Sequence, residues 1–462
     1  MTRNRYADLL RVLAISGVVY GHWLLVSVTY QNGQLSGLDA IDYISWGRWV
    51  TWGMQVMPVF FLVGGYVNAG SWSLHHGEGQ TWVLWVRDRV MRLLWPTAAY
   101  VVVALAAVII AEAAGVPHKE LAECAWLVAL HLWFLPVYLI LNLLTPLMYA
   151  AHQRWGLAVP AAMAVAAGLV EGLVQIHDLH FLGYANYLFV WGGIHQWGFC
   201  WLDGKLTKPR WRPYALAAVG AALLVGLVAS GAYKVDMVGS GNTNPPSIAL
   251  LAFAAAQSGL VLAAEPWGSR LLAGPRLWRR VKRANSVVMN VYLWHFVPAI
   301  VIAIAFYTTG VLAQPAVGSG EWWELRLVWL GLLTLVLVPL VAFVSWAERP
   351  MLKLPGGLGP TGWWSPVLLV IGVAAAGQSL ATLAVDGFSP GGGLPVSALI
   401  GFGVGLLATL FTGRAPKPAG DDHRPERLKR GHHPFGDTGI AVTMEFKQEP
   451  GRAREHEHRK GG

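Results

Sequence analysis

Long apolar runs alternate with short polar breaks over most of the chain, and each run approaches the roughly 20 residues needed to cross about 30 Å of hydrocarbon. Twelve runs fall at approximately 10–30, 50–71, 93–113, 124–149, 156–175, 182–202, 213–233, 247–265, 286–308, 325–346, 364–384 and 395–412. This pattern predicts an all-α polytopic membrane protein of about twelve transmembrane helices. Several runs contain Gly or Pro, which membrane helices tolerate where neighbouring helices satisfy the freed backbone groups. Residues 413–462 break the pattern: they are polar, rich in Pro, Gly, His and charge, and read as a disordered basic tail.

Lysine and arginine orient the runs. With the N-terminus inside, inward segments and helix ends hold Arg3, Arg5 and Arg11, then Arg87, Arg89 and Arg92, then Arg154. Further inward sets are Lys205 to Arg212, Arg270 to Arg283, and Arg349 with Lys353. Together with the tail they account for 30 of the 34 lysines and arginines, leaving Arg48, Lys119, Lys234 and Arg326 outside or at an outer edge. The positive-inside rule is thus met at every loop, which places both termini in the cytoplasm and the protein in the plasma or inner membrane. All outer loops are expected to be short.

Composition agrees. Of 462 residues, 55% are hydrophobic and 13% charged, about half the charged fraction of a soluble domain. Mean hydropathy is +0.47. The 24 Trp and 14 Tyr suit many helix ends anchored at headgroup level. The first apolar run is too long for a cleavable signal and lacks a small-residue cleavage site after it. Two cysteines, Cys124 and Cys200, are expected near opposite membrane faces, which argues against a disulfide. With no CxxC or HExxH, no metal centre is expected; the histidines of the tail suit adventitious binding better. The net charge of +9 is explained by insertion and lipid contact, so it does not point to nucleic acid.

Chemistry concentrates at a few positions. Arg11 and His22 are eleven residues apart, so a helix returns them to nearly one face about 16 Å apart along its axis. An arginine at the membrane edge and a histidine near mid-depth make a functional site a natural reading; a histidine bonded to a neighbouring helix is the plain alternative. Asp8 is placed to pair with Arg11. Arg89 and Arg92 share a helix face, where arginines suit phosphates or anionic lipid equally. His131-Leu-Trp133 lies in the outer half of the fourth run, and His295 about nine residues into the ninth. His195 falls nearer the inner end of the sixth. Glu348 closes the tenth run, beside Arg349 or an N-terminal partner. Each alone reads as a polar packing residue. Gly64-Gly65, after Pro58, reads as a close helix contact.

In this order the segments resemble the acyltransferase 3 family of integral-membrane acyltransferases. The resemblance rests on Asp8-Leu-Leu-Arg11 with His22, Pro58-Val-Phe-Phe-Leu-Val-Gly-Gly-Tyr66, and Arg87-Asp-Arg89 with Arg92 before Trp95-Pro96. His131-Leu-Trp133-Phe-Leu, Tyr292-Leu-Trp-His295 and Glu348-Arg-Pro350 complete it. It spans roughly residues 5–350, implying a ten-helix acyltransferase-like domain over 1–350, two added helices over 351–412, and the tail over 413–462. It implies transfer of an acyl group, often acetyl, from cytoplasmic acyl-CoA to a hydroxyl of a cell-envelope glycan or secreted metabolite. His22 then resembles the catalytic histidine and Arg11 its partner. Arg87, Arg89 and Arg92 would hold the CoA phosphates, with Asp8, Trp133, His295 and Glu348 in support. Acyl-CoA acts as a substrate, and no bound cofactor is implied. One departure stands out: the family usually has serine where this chain has Gly64.

Acyl transfer to a hydroxyl needs a general base, and histidine suits that role near neutral pH. Direct transfer with His22 as base is expected, although an acyl-histidine relay would use the same residue. A secondary transporter is the rival, since twelve helices with both ends inside are common among transporters. A non-catalytic relative is the third reading. No convincing internal repeat supports transport, and the Arg11/His22 pair weighs against an inactive protein.

Overall fold

The structure, a computed structural model, describes residues 3–31, 33–44, 46–239, 241–349 and 362–413. The predicted tail and the segment around Pro350–Lys353 therefore lie outside the described residues. The helices are α1 (Arg5–Leu25), α2 (Gly47–Met54), α3 (Met57–Gly77), α4 (Trp82–Ala113), α5 (His118–Leu127), α6 (Phe134–Trp155), α7 (Ala158–His177) and α8 (Asn186–Leu202). They continue as α9 (Arg212–Ala229), α10 (Ile248–Ala263), α11 (Glu265–Leu271), α12 (Pro275–Trp294), α13 (Val297–Ile302), α14 (Gly320–Ala347), α15 (Ser365–Asp386) and α16 (Val396–Phe411). Among the described residues, eight spans are long and apolar enough to cross a membrane, or up to ten if each of two bent pairs counts as one. The chain is a helical, multi-pass membrane protein.

The architecture is not purely helical. Where the sequence pattern extends the first apolar run to residue 30, α1 ends at Leu25 and strands β1 (Val26–Gln31) and β2 (Gln34–Asp39) form an antiparallel hairpin. Alternating β-branched residues favour extension here, and Gly33 takes φ +81 at the turn, a conformation that suits glycine. A side chain from another helix takes up carbonyls at the end of α1. The Arg326 guanidinium on α14 donates to Leu24 O at 3.2 Å and Val26 O at 2.7 Å. The connection between the first two long helices is thus a built structure, not the short loop expected.

Small residues set the helix crossings. A Cβ on Gly65 would fall 1.8 Å from His195 O, and one on Gly198 would fall 2.2 Å from Leu62 O, so α3 and α8 meet backbone to backbone. Gly220 and Gly259 do the same for α9 and α10, and Gly372 and Gly405 for α15 and α16. The close approach expected of Gly64-Gly65 is therefore present, with α8 as the partner of Gly65. Gly64 serves another neighbour: its Cβ would lie 2.8 Å from the Tyr138 ring and 2.9 Å from the Tyr138 hydroxyl oxygen. Tyr138 thus fills the space that a side chain at position 64 would occupy.

Two helix breaks place histidines at helix ends. Pro298 has no N–H to give and clashes with the carbonyl four residues back, so α12 stops at Trp294 and α13 leaves at 55°. His295 therefore sits at the bend between two helices, not inside one. Likewise, Pro136 in the first turn of α6 is preceded by a 3₁₀ turn, Leu130–Trp133, which carries His131.

Candidate active site

Three histidines distant in sequence converge. His22 is in the last turn of α1, His295 is at the α12–α13 bend, and His131 is on the turn before α6. His22 Nδ1 and His295 Nε2 are 2.9 Å apart, and His295 Nδ1 is 2.7 Å from Tyr292 O. A carbonyl oxygen can only accept, so His295 Nδ1 carries the proton and its Nε2 offers a lone pair. His22 Nδ1 must then donate to it. The remaining nitrogen of neutral His22, Nε2, is left with a free lone pair.

The surroundings hold this order in place. Trp23 Nε1 donates to His295 O at 2.7 Å, using a carbonyl freed by the break. The Phe296 ring stacks on His22 with centroids 5.1 Å apart. The His131 ring meets His295 edge-on at 5.0 Å, and the Tyr292 hydroxyl donates to His131 O. Among the described residues no hydrogen bond of normal geometry reaches either ring nitrogen of His131, beside which the Leu293 backbone lies. His22, His131, Tyr292 and Trp133 all line a cavity of about 1140 Å³ that the hairpin covers in part through Val26, Val28 and Leu35.

The arginines stand elsewhere. Asp8 does not pair with Arg11: its carboxylate accepts from Arg3 Nε at 2.6 Å and from Asn285 Nδ2 at 3.2 Å. Asn285, on α12, turns its oxygen toward Arg11 Nη1 at 3.5 Å, so it stands between the two. Arg89 lies in the electrostatic field of Arg92, Arg11 and Tyr138, with its guanidinium 5.3 Å from the centre of the Trp85 ring. Arg87, about 200° around the helix from Arg89, is buried and pairs with Asp88 at 2.9 Å. Arg11 and Arg92 thus act electrostatically on Arg89, while Arg87 is paired with Asp88 on another side of the helix. None of the four is among the cavity walls. Because α1 is unbroken, Arg11 and His22 remain about 16 Å apart along it.

Glu348 has neither expected partner. Its Oε2 accepts from Asn290 Nδ2 at 2.9 Å, and Asn290 also reaches Ser345 Oγ at 3.0 Å. The carboxylate therefore braces the helix that presents Tyr292 and His295. His195 is a packing residue, with Nε2 3.2 Å from Asn68 Nδ2, which in turn donates to Asn142 Oδ1 at 3.0 Å. Both cysteines are free. Among the described residues no group of three or more His, Cys, Asp and Glu is placed to hold a metal ion.

Sequence reasoning left His131 and Tyr292 inside quoted motifs without a role, and missed Asn285, Asn290 and Tyr138. It missed the hairpin too, although Asn32-Gly33 between alternating runs is a strong turn signal.

Fold and site define a multi-pass helical membrane protein in which His22, hydrogen-bonded to buried His295, lines a large cavity. A family model described as an acyltransferase domain, that of the acyltransferase 3 family, matches residues 4–347. The chain belongs to that family, and the protein is an acyltransferase by membership. No curated protein and no solved structure gives a significant match.

Proposed function

We propose that the protein transfers an acyl group, with acetyl the first choice, from acyl-CoA to a hydroxyl of a glycan or a small secreted molecule. What carries the reading is the hydrogen-bond chain from His22 through His295 to Tyr292 O, which leaves the Nε2 lone pair free on a residue of the cavity wall. The acceptor hydroxyl enters the cavity and hydrogen-bonds to Nε2. Its oxygen attacks the thioester carbonyl carbon as its proton passes to Nε2, and the His22 imidazolium is held through Nδ1–H on His295. The C–S bond then breaks, the thiolate takes the proton back from Nε2, and ester and free CoA leave.

The donor approaches from the Arg11 end of α1. Arg89 and Arg92 beside Arg11 supply positive charge for its phosphates, and the distance from Arg11 to His22 is left for the pantetheine arm. Arg87 would reach the same ligand only on leaving Asp88, so the donor site rests on the other three. The favoured topology is twelve spans with both termini cytoplasmic, which makes the Arg11 end inward and the hairpin end outward. It counts α8 and α16 as spans, although they have only 17 and 16 residues.

Purified protein in lipid nanodiscs, given labelled acetyl-CoA and a hydroxyl acceptor, tests this directly. The expected result is free CoA and labelled acceptor, with His22→Ala reducing both by about 10³-fold, as loss of a general base does, while its elution and melting stay unchanged. Wild-type turnover by that variant would refute the role of His22. Movement of acceptor across the membrane without CoA release would favour the transporter. Arg11→Lys should raise the KM for donor about tenfold, because an ammonium lacks the planar two-pronged contact.

A further inference from the structure

The walls of the cavity that meets His22 are chemically one-sided. Most are apolar, with Val18, Leu25, Met57, Leu127, Phe134 and Val137 among them. Among the described residues, its charged walls are Asp39 on the hairpin and Glu123 on α5, both acidic. Arg48, Lys119 and Lys234 are not among them. Asp42 and Asp236 add their negative fields at Asp39. At about 1140 Å³ the space exceeds the ~300–1,000 Å³ of ordinary small-molecule sites.

These walls discriminate between acceptors. Ser36, Gln55, Thr243, Asn244, Tyr184 and Tyr187 offer hydrogen bonds at some wall positions, but apolar positions outnumber them. Hydroxyls of a wholly polar oligosaccharide facing those apolar positions would lose water without replacement. A carboxylate or phosphate would face two carboxylates with no cation among the described wall residues to offset them. An apolar body, in contrast, gains from burial against the same side chains. His22, on the cavity wall, supplies the polar end where a hydroxyl belongs.

We propose that the acceptor is an uncharged or cationic hydroxyl compound with an extended apolar body, which enters with the hydroxyl directed at His22. This rests on the acyl-transfer reading for the occupant's role as acceptor. The charge and polarity of the occupant rest on the walls alone.

Binding therefore tests it apart from turnover. Ser36 lines the cavity and bonds Thr29 Oγ1 at 3.0 Å, so Ser36→Cys in a Cys124→Ser background is a mild thiol reporter. Maleimide labelling is measured in neutral-lipid nanodiscs with octyl β-glucoside, octyl glucosaminide, octyl glucuronide and methyl β-glucoside. Octyl glucoside and the cationic glucosaminide should protect at concentrations at least about tenfold below the glucuronide, and methyl glucoside should not protect. Asp39→Asn/Glu123→Gln should bring the glucuronide to within about threefold of octyl glucoside. Equal protection by the glucuronide or by methyl glucoside overturns the proposal, as does an unchanged gap in the double variant. The same order is expected in kcat/KM for the wild-type protein, a check should the reporter fold poorly. Protection in the expected order without any CoA release would uphold the charge and polarity of the occupant and overturn its role as acceptor.

Discussion

His295 offers the sharpest probe of the chemistry, because its two ring nitrogens do separate jobs that different side chains can imitate. Nε2 accepts from His22 Nδ1 at 2.9 Å, and Nδ1 donates to Tyr292 O at 2.7 Å. When His22 takes the acceptor's proton, the bond to His295 becomes charge-assisted and is worth about 1.5–3 kcal/mol. At about 1.4 kcal/mol per tenfold, its loss should lower kcat by roughly 10- to 150-fold. His295→Asn keeps a donor for Tyr292 O but is too short to accept from His22, so it should show that loss. His295→Gln places an amide oxygen near the old Nε2 position and should recover much of it. The Trp23 bond goes to the main-chain carbonyl and survives in both variants. Stopped-flow and steady-state assays with saturating donor would show the change in kcat, with donor KM nearly constant. Wild-type kcat in His295→Asn, or His295→Gln as slow as His295→Ala, would refute the relay. A purely structural role would instead lower the yield and melting point of all three variants together.

The remaining predictions concern assembly. Gly65→Ala puts a methyl into the His195 carbonyl, a backbone contact that cannot swing aside, and should cost about 3 kcal/mol, the upper end of overpacking costs, seen as lost yield or a lowered melting point. Gly53→Ala, which meets nothing within 4 Å, is the control and should be near neutral on this ground. Asp203 follows α8 in a connecting turn. Burial pushes its carboxyl up, but hydrogen bonds from Lys205 and His152 outweigh that and hold it below the usual range. A lowered folded value stabilises above the unfolded pKa of about 4 and is lost as pH falls through the folded one. The melting advantage of wild type over Asp203→Asn should therefore be full at pH 7 and shrink below about pH 4. An advantage independent of pH would mean that Asp203 acts through packing.

Many residues of the candidate site were legible along the chain, for reasons that differ from residue to residue. Arg11 and His22 lie on one unbroken helix, so a fixed rise per residue relates them without tertiary information. His295 was legible as a candidate, but its position was not. Its tautomer depends on Tyr292 O within its own turn and on His22, 273 residues away. Glu348 was misjudged because adjacency suggested Arg349, while the fold offered Asn290 from another helix. The same holds for Asp8, where Asn285 intervenes between two residues that helical spacing alone would pair.

By itself, the order of apolar and charged residues determined the membrane class, the position of most helices and the family, since burial in lipid constrains each span locally and the motifs are short and ordered. It also held the first span's true end, in the alternation after Leu25 and the Asn32-Gly33 turn. Only the tertiary structure decided which histidine meets which. Three helix ends, one cut by Pro298, another preceded by a 3₁₀ turn and the third secured by Arg326, bring His295, His131 and His22 together. Hydrogen bonds between segments hundreds of residues apart leave no periodic trace. The free lone pair on His22 Nε2, on which the proposed reaction depends, is therefore a property of the fold.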